Sequence, residues 1–228
     1  IKPYTINRVN SGYNSLNINN SICSASAIRN ALKTDSLETI NYTMPKPTYD
    51  LINDTVNSGV NLVYNDDFYQ ILSSIILRDK DNLTDYFEVN EGIENKIYNS
   101  IFKCQNIEEL QNEIKSKRYT MTKISRTLNN IMLGIKRDDI LKTKDLKEMP
   151  YVRVLAFNDK GCEILKEIKK NSEIEVITKF SKIKHIDSDI FNTLINYDIK
   201  ATNMYSLIYN KSLLKGPMDY ITSPKYIK

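Results

Sequence analysis

The sequence is poor in the residues that punctuate or cross-link a chain. Glycine and proline number six each in 228 residues, too few to supply the turns of an all-β sandwich. Helices joined by short polar connections are therefore expected. The three cysteines, Cys23, Cys104 and Cys162, are far apart, odd in number and never in a CxxC pair, so neither a disulfide framework nor a zinc site is indicated. They read as reduced thiols, and a cytoplasmic location is expected. Tryptophan is absent, and the one histidine, His185, sits in Lys184-His185-Ile186-Asp187 without a nearby cysteine. A surface histidine is expected there, and no protein-bound metal. No run approaches the roughly 18 apolar residues of a membrane helix; even Ile71 to Leu77 is interrupted by Ser73 and Ser74. No membrane partner and no obligate protein partner are expected. No initiator methionine precedes Ile1 and the opening does not resemble a signal peptide, so the chain is expected to begin partway through a longer protein.

What is present is a hydrophobic content of 41%, enough for one sizeable core or a main core with a small appended one. The net charge of +4 is modest, but its distribution is uneven. Asp50 through Glu113 holds thirteen acidic and four basic residues, whereas Glu113 through Lys147 holds ten basic and four acidic. A basic block in an otherwise acidic chain points to a polyanion on one face, or to a solvated basic helix.

Residues 1–9 read as a short strand and 10–21 as a loop. Ser24 is a plausible N-cap for a helix from Ala25 to Lys33. Pro45 and Pro47 interrupt regular structure, which places a linker near residues 41–48. Helical periodicity then marks Tyr49 to Asn57, Asp66 to Arg78 and Gly92 to Phe102. Asn106-Ile107-Glu108-Glu109 has the spacing of a capping box, and Ile107, Leu110 and Ile114 make one apolar face that ends in Lys115-Ser116-Lys117-Arg118. A helix from Thr122 to Ile135 buries Ile124, Leu128, Ile131, Met132 and Ile135, which turns Lys123, Arg126 and Asn130 toward solvent. Tyr151 to Phe157 reads as a strand, Lys160 to Lys170 as a helix and Ile174 to Thr178 as a second strand, a βαβ unit that is parallel if both strands share a sheet. Ser188 to Tyr209 reads as a long helix or helix pair, and the tail from Lys211 as irregular.

Two groups of residues can carry chemistry. In Ile22-Cys23-Ser24-Ala25-Ser26-Ala27-Ile28-Arg29, small hydroxyl residues open a helix whose N–H groups can face an anion, and Arg29 one turn on can reach the same phosphate. A capped helix with one surface arginine is the alternative. In the basic block, Lys115, Lys117, Arg118, Lys123 and Arg126 can neutralise RNA phosphates, with Thr120 or Thr122 capping the helix that presents them. Tyr119 either stacks on an unpaired base or packs beneath the helix pair.

The first group resembles the Ile-Ser-Ser-Thr-x-Ile-Arg type motif that helps bind ATP phosphates near the end of HIGH-type nucleotidyltransferase domains. Cys23 and Ala25 depart from the commonest form and leave Ser24, Ser26 and Arg29 in register. Three further stretches are similar to one branch of that superfamily, the tRNA(Met) cytidine acetate ligases: Glu91 to Ile97, Lys115 to Arg126, and Tyr151 to Asn158. The resemblance covers essentially the whole chain, and the Lys-Arg-Tyr-Thr stretch with the Tyr-Val-Arg-Val-Leu strand is specific in combination.

The resemblance implies an α+β, predominantly helical fold. Residues 1–47 would be the C-terminal end of a Rossmann-like nucleotidyltransferase domain. Residues 48–228 would form a helical tRNA-binding domain with the βαβ unit near 151–178. It also implies an ATP-dependent ligase that activates acetate as acetyl-adenylate and forms N4-acetylcytidine at the wobble position of elongator tRNA(Met). ATP, with magnesium, and acetate would be co-substrates. Ser24, Ser26 and Arg29 would face the ATP phosphates and Arg8 and Val9 would approach the adenine, while Lys115, Lys117, Arg118, Tyr119, Lys123 and Arg126 would contact tRNA. No His-x-Gly-His segment is present, so catalytic residues are expected outside this chain, which alone should not activate acetate. Two other readings stand beside this one. An adenylyltransferase acting on a small cofactor precursor explains the early motif, and a non-catalytic RNA-binding module explains the basic block.

Overall fold

A computed structural model describes residues 2–7, 15–16, 18, 21–34, 37–183, 188–209 and 217–227. The chain divides into two compact units, Ile1–Leu62 and Val63–Lys228. The fold is α+β and predominantly helical.

In the first unit, residues 2–7 form no strand. The alternation there suggested one, yet an extended segment becomes a strand only when a neighbour completes its hydrogen bonds, and none does so among the described residues. Tyr4 and Ile6 are exposed. Helix α1 (Ala25–Thr34) buries Ala27 and Ala31, one turn apart on one face. It packs against a 3₁₀ segment, Leu37–Thr43, which buries Ile40 and Thr43. Helix α2 (Lys46–Asn57) follows directly, with Pro45 at its N-cap and Pro47 in its first turn. The expected linker is thus a helix start, where the missing proline N–H costs nothing and its fixed φ suits the helix. Because α2 packs on the 3₁₀ segment, the division falls after Leu62 and not after residue 47.

The second unit is built on a helical layer. A 3₁₀ turn (Asn65–Phe68) leads into α3 (Tyr69–Arg78), then α4 (Ile93–Ser100), α5 (Ile107–Ile114) and α6 (Met121–Leu133). Apolar residues at helical spacing, including Leu72, Ile76, Ile93, Ile97, Leu110, Ile114, Ile124 and Ile131, close one continuous core. Asn106 caps α5 by accepting from the Glu109 N–H at 2.8 Å, and Glu109 Oε2 accepts from the Gln105 N–H at 2.8 Å. Helix α7 (Arg137–Thr143) follows α6 across Gly134, whose left-handed φ of 69° ends α6.

The expected strand at 151–157 is two short ones. Strand β1 (Tyr151–Arg153) pairs in parallel with β3 (Glu175–Ile177) across α8 (Asp159–Asn171), while β2 (Ala156–Phe157) takes a different partner. After the single long helix α9 (Asp189–Tyr209), the short α10 (Met218–Ile221) precedes β4 (Lys225–Tyr226), which pairs in parallel with β2. The tail therefore carries regular structure. Tyr226 packs edge-on against Phe157 with ring centroids 5.8 Å apart, and buried Asp219 pairs with Arg153. These long-range contacts leave no local periodicity to read. A second core gathers Ile177, Phe180, Phe191 and Ile195. Tyr197 ties α9 to α7: its hydroxyl donates to Asp139 at 2.5 Å and accepts from the Lys136 N–H at 3.1 Å. No helix among the described residues is long and apolar enough to cross a membrane.

Candidate nucleotide and RNA sites

The helix start in the first unit is assembled by Ser24. Its side chain is buried; Oγ accepts from the Ala27 N–H at 2.9 Å and donates to the Ser15 carbonyl at 2.5 Å. The hydroxyl's single proton is thus committed to the Ser15 carbonyl while its oxygen caps the helix, which leaves Ser24 Oγ no proton to offer a phosphate in this arrangement. Ser26 and Arg29 do share one face: Arg29 Nη2 donates to Ser26 Oγ at 3.4 Å, and the arginine is exposed. The first turn of α1 also presents N–H groups with no intrahelical acceptor. A hydroxyl, a guanidinium and backbone N–H groups therefore converge at one helix end, the donor set that a phosphate takes. Arg8 and Val9 lie outside the described residues, as does His185.

In the second unit, the turn 115–120 joins α5 to α6, and Thr120 caps α6 by accepting from the Lys123 N–H at 3.3 Å. Ser116 Oγ accepts from the Tyr119 N–H at 3.2 Å. Lys115, Lys117, Arg118 and Arg126 are exposed and Lys123 is half-buried. Tyr119 is only 6% exposed and belongs to the core, its hydroxyl donating to the Glu91 carbonyl at 2.7 Å. The ring leaves no open face for a nucleobase, so of the two expected placements it takes the one beneath the helix pair. The Arg118 and Lys123 cationic groups lie 5.7 and 5.5 Å from its centroid, within reach of its quadrupole.

Two acidic residues face this cluster. Arg126 grips Glu88 at two points, Nε to Oε2 at 3.1 Å and Nη2 to Oε1 at 2.9 Å, and that hydrogen bonding raises the arginine pKa further. Glu91 Oε2 lies 3.5 Å from Arg118 Nε and 3.7 Å from Lys123 Nζ. Asn130, expected in solvent, instead donates to the Phe87 carbonyl at 2.9 Å. An open polar cleft of about 640 Å³ adjoins Glu91, lined among others by Asp85, Glu94, Lys136, Arg137 and Asp138. The sequence reading missed Glu88, Glu91, Lys136 and Arg137 as parts of one surface. The acidic block signalled negative charge in their region, but nothing local showed which carboxylates would meet which cations. Among the described residues no cluster of histidine, cysteine and acidic side chains has a metal-holding arrangement, and all three cysteines are free thiols.

The chain belongs to the HIGH nucleotidyltransferase family: the family model described as HIGH Nucleotidyl Transferase matches residues 1–217. The match runs through the helical unit as well, so the family's reach is not confined to residues 1–47. Within that class, the chain is 44% identical over 222 residues to the tRNA(Met) cytidine acetate ligase of Clostridium acetobutylicum, covering 96% of this chain and 51% of the relative. To the protein of the same name from Clostridium perfringens it is 40% identical over 225 residues, covering 98% and 52%. The chain thus spans about half the length of the curated relatives it matches.

Its fold is also that of Thermotoga maritima TmcAL. The apo crystal structure matches with a TM-score of 0.87 at 24% identity, over 98% of this chain and 55% of that one. The structure of the same protein bound with alpha-thio ATP matches with a TM-score of 0.78 at 23% identity, over 90% and 52%.

Proposed function

We propose that this chain supplies the tRNA-binding region and one edge of the ATP site of an ATP-dependent tRNA(Met) cytidine acetate ligase of the cytoplasm. The observation that carries this reading is the coincidence of a coherent cationic face at Arg118, Lys123 and Arg126 with sequence identity of 40–44% to ligases of that name. In the reaction, an acetate oxygen attacks the α-phosphorus of ATP and pyrophosphate leaves. The exocyclic N4 of the wobble cytidine of elongator tRNA(Met) then attacks the acyl carbon, AMP leaves, and the nitrogen loses a proton. Ser26, Arg29 and the N–H groups at the start of α1 would hold ATP phosphate oxygens, with Ser24 fixing that helix start. Magnesium would arrive with the nucleotide.

Lys115, Lys117, Arg118, Lys123 and Arg126 would neutralise tRNA phosphates. The test is binding of the chain to elongator tRNA(Met) and to an unrelated tRNA across a salt series. Salt-sensitive binding that favours tRNA(Met) and is weakened by Arg118→Ala with Arg126→Ala supports the reading. Absence of binding at low salt overturns the placement of tRNA contact in this chain.

A further inference from the structure

Three of the five cations assigned to RNA, Arg118, Lys123 and Arg126, are already covered by carboxylates. Glu88 and Glu91 lie within four residues of one another, and both have left-handed backbone conformations, with φ of 65° and 60°. Gly92, with φ of 87°, adopts the same region at no steric cost. For glutamate that region is uncommon and strained, and it persists only where surrounding contacts over-determine it. Here they do. The Phe87 N–H donates to the Ile135 carbonyl at 2.9 Å and Asn130 Nδ2 donates to the Phe87 carbonyl at 2.9 Å. Arg137 Nη2 donates to the Val89 carbonyl at 2.7 Å, and Tyr119 Oη to that of Glu91 at 2.7 Å. Val89 between them is wholly buried.

The backbone of this loop is thus pinned by four hydrogen bonds and a buried side chain, none of which uses either carboxylate. The Glu91 pairs are exposed and contribute little to folding, and the half-buried Glu88 fork adds to a loop whose backbone is already anchored without it. The pinned backbone delivers two carboxylates to three cations. A carboxylate forked onto an arginine occupies the positions that two phosphate oxygens would take.

We propose that Glu88 and Glu91 are selectivity-setting residues of the RNA surface: intramolecular stand-ins for phosphate that occupy Arg126, and Arg118 with Lys123, until RNA displaces them. This rests on the RNA-binding reading above. Because the loop backbone is anchored independently, displacement needs only side-chain rotation. An incoming polyanion must replace both carboxylates, which discriminates against ligands that make isolated phosphate contacts and favours an RNA whose phosphates reach all three cations together. Lys115 and Lys117, which have no ion-pair partner among the described residues, remain free for first encounter.

The test measures affinity of the 228-residue chain for elongator tRNA(Met) and for poly(U) at about 0.15 M salt, using the wild type, Glu88→Gln, the pair Glu88→Gln with Glu91→Gln, and each in an Arg126→Ala background. The expected result is that the paired variant binds both RNAs about five- to tenfold more tightly, with poly(U) gaining more, so that discrimination narrows. The gain from Glu88→Gln should vanish when Arg126 is alanine, because the carboxylate then covers nothing. A gain of equal size in the Arg126→Ala background would be general charge repulsion and would overturn the proposal. So would unchanged affinity in the paired variant when Arg118→Ala with Arg126→Ala still weakens binding, an outcome that leaves the RNA reading standing. If the wild type and the paired variant both fail to bind either RNA, the RNA reading and the proposal fall together.

Discussion

The Tyr119 hydroxyl donates to the main-chain carbonyl of Glu91 at 2.7 Å, so a core tyrosine fixes the backbone of the residue whose carboxylate faces Arg118 and Lys123. Tyr119→Phe keeps the ring in the core and removes this single bond. It should cost about 1 kcal/mol of stability, read as a lower urea midpoint with an unchanged slope. RNA affinity should fall by no more than a few-fold, whereas Tyr119→Ala should lose about 3–5 kcal/mol through the cavity it leaves.

At the start of α1, Ser24 and Arg29 have separable roles. Ser24→Ala removes the cap and should destabilise the Ile1–Leu62 unit by about 1 kcal/mol, visible in amide exchange of residues 25–34. Arg29→Ala should leave that protection unchanged. In a chain extended to its relatives' length, it should weaken ATP binding in a nucleotide titration while sparing tRNA affinity. Equal loss of both activities would indicate misfolding.

Asp79 is held by the neighbouring Arg78 guanidinium, with two contacts of 2.7 Å, and by the Tyr86 hydroxyl. These hydrogen bonds, the arginine's first, lower its pKa to about 2. A carboxylate whose folded pKa lies below its unfolded value adds stability above the unfolded value and loses it as pH falls. The contribution should therefore be complete above about pH 4 and disappear as the pH approaches 2. Asp79→Asn should be less stable than wild type at neutral pH, and the two should converge over that acid window in chemical denaturation. Burial first, and then Asp79, pushes Tyr86 up to about 12. A raised tyrosine has the opposite dependence: its contribution is present below about pH 10 and is lost as the pH rises toward 12.

Arg153 on β1 pairs with Asp219 of α10, whose side chain is 1% exposed and whose Oδ2 has no hydrogen-bond partner among the described residues. The guanidinium also lies 4.7 Å from the centre of the Phe180 ring. Arg153→Ala would strand a buried carboxylate and should cost about 3 kcal/mol, whereas the double replacement Arg153→Met with Asp219→Leu should recover most of that loss. Thermal melting of the two variants checks the order.

Local pattern was a good guide wherever an element's reason for forming lay within it. The apolar stripe of Ile124, Leu128 and Ile131 called for a helix, and the Asn106–Glu109 spacing called for its neighbour's cap. Ser24 was legible as a cap for the same reason. It was not legible that capping would consume its hydroxyl, because the Ser15 carbonyl that accepts from it belongs to another segment. The tail was misread because β4 exists only through β2, and the segment 2–7 because its alternation has no partner strand among the described residues. Pro45 and Pro47 looked like a break; their place at a helix start depends on α2 packing against Leu37–Thr43.

By itself the sequence determined the helical class, the apolar faces of α3, α5 and α6 and the strand–helix–strand order near 151–178, and it nominated the two candidate sites. Periodicity, capping and charge are properties of neighbouring residues along a chain. Only the tertiary structure decided that Tyr119 lies in the core, that Ser24 faces inward while Ser26 and Arg29 face out, and that Glu88 and Glu91 cover Arg118, Lys123 and Arg126. Those outcomes depend on which groups meet across tens of residues. They also depend on a left-handed loop held by four distant hydrogen-bond partners, which no local preference of glutamate would specify.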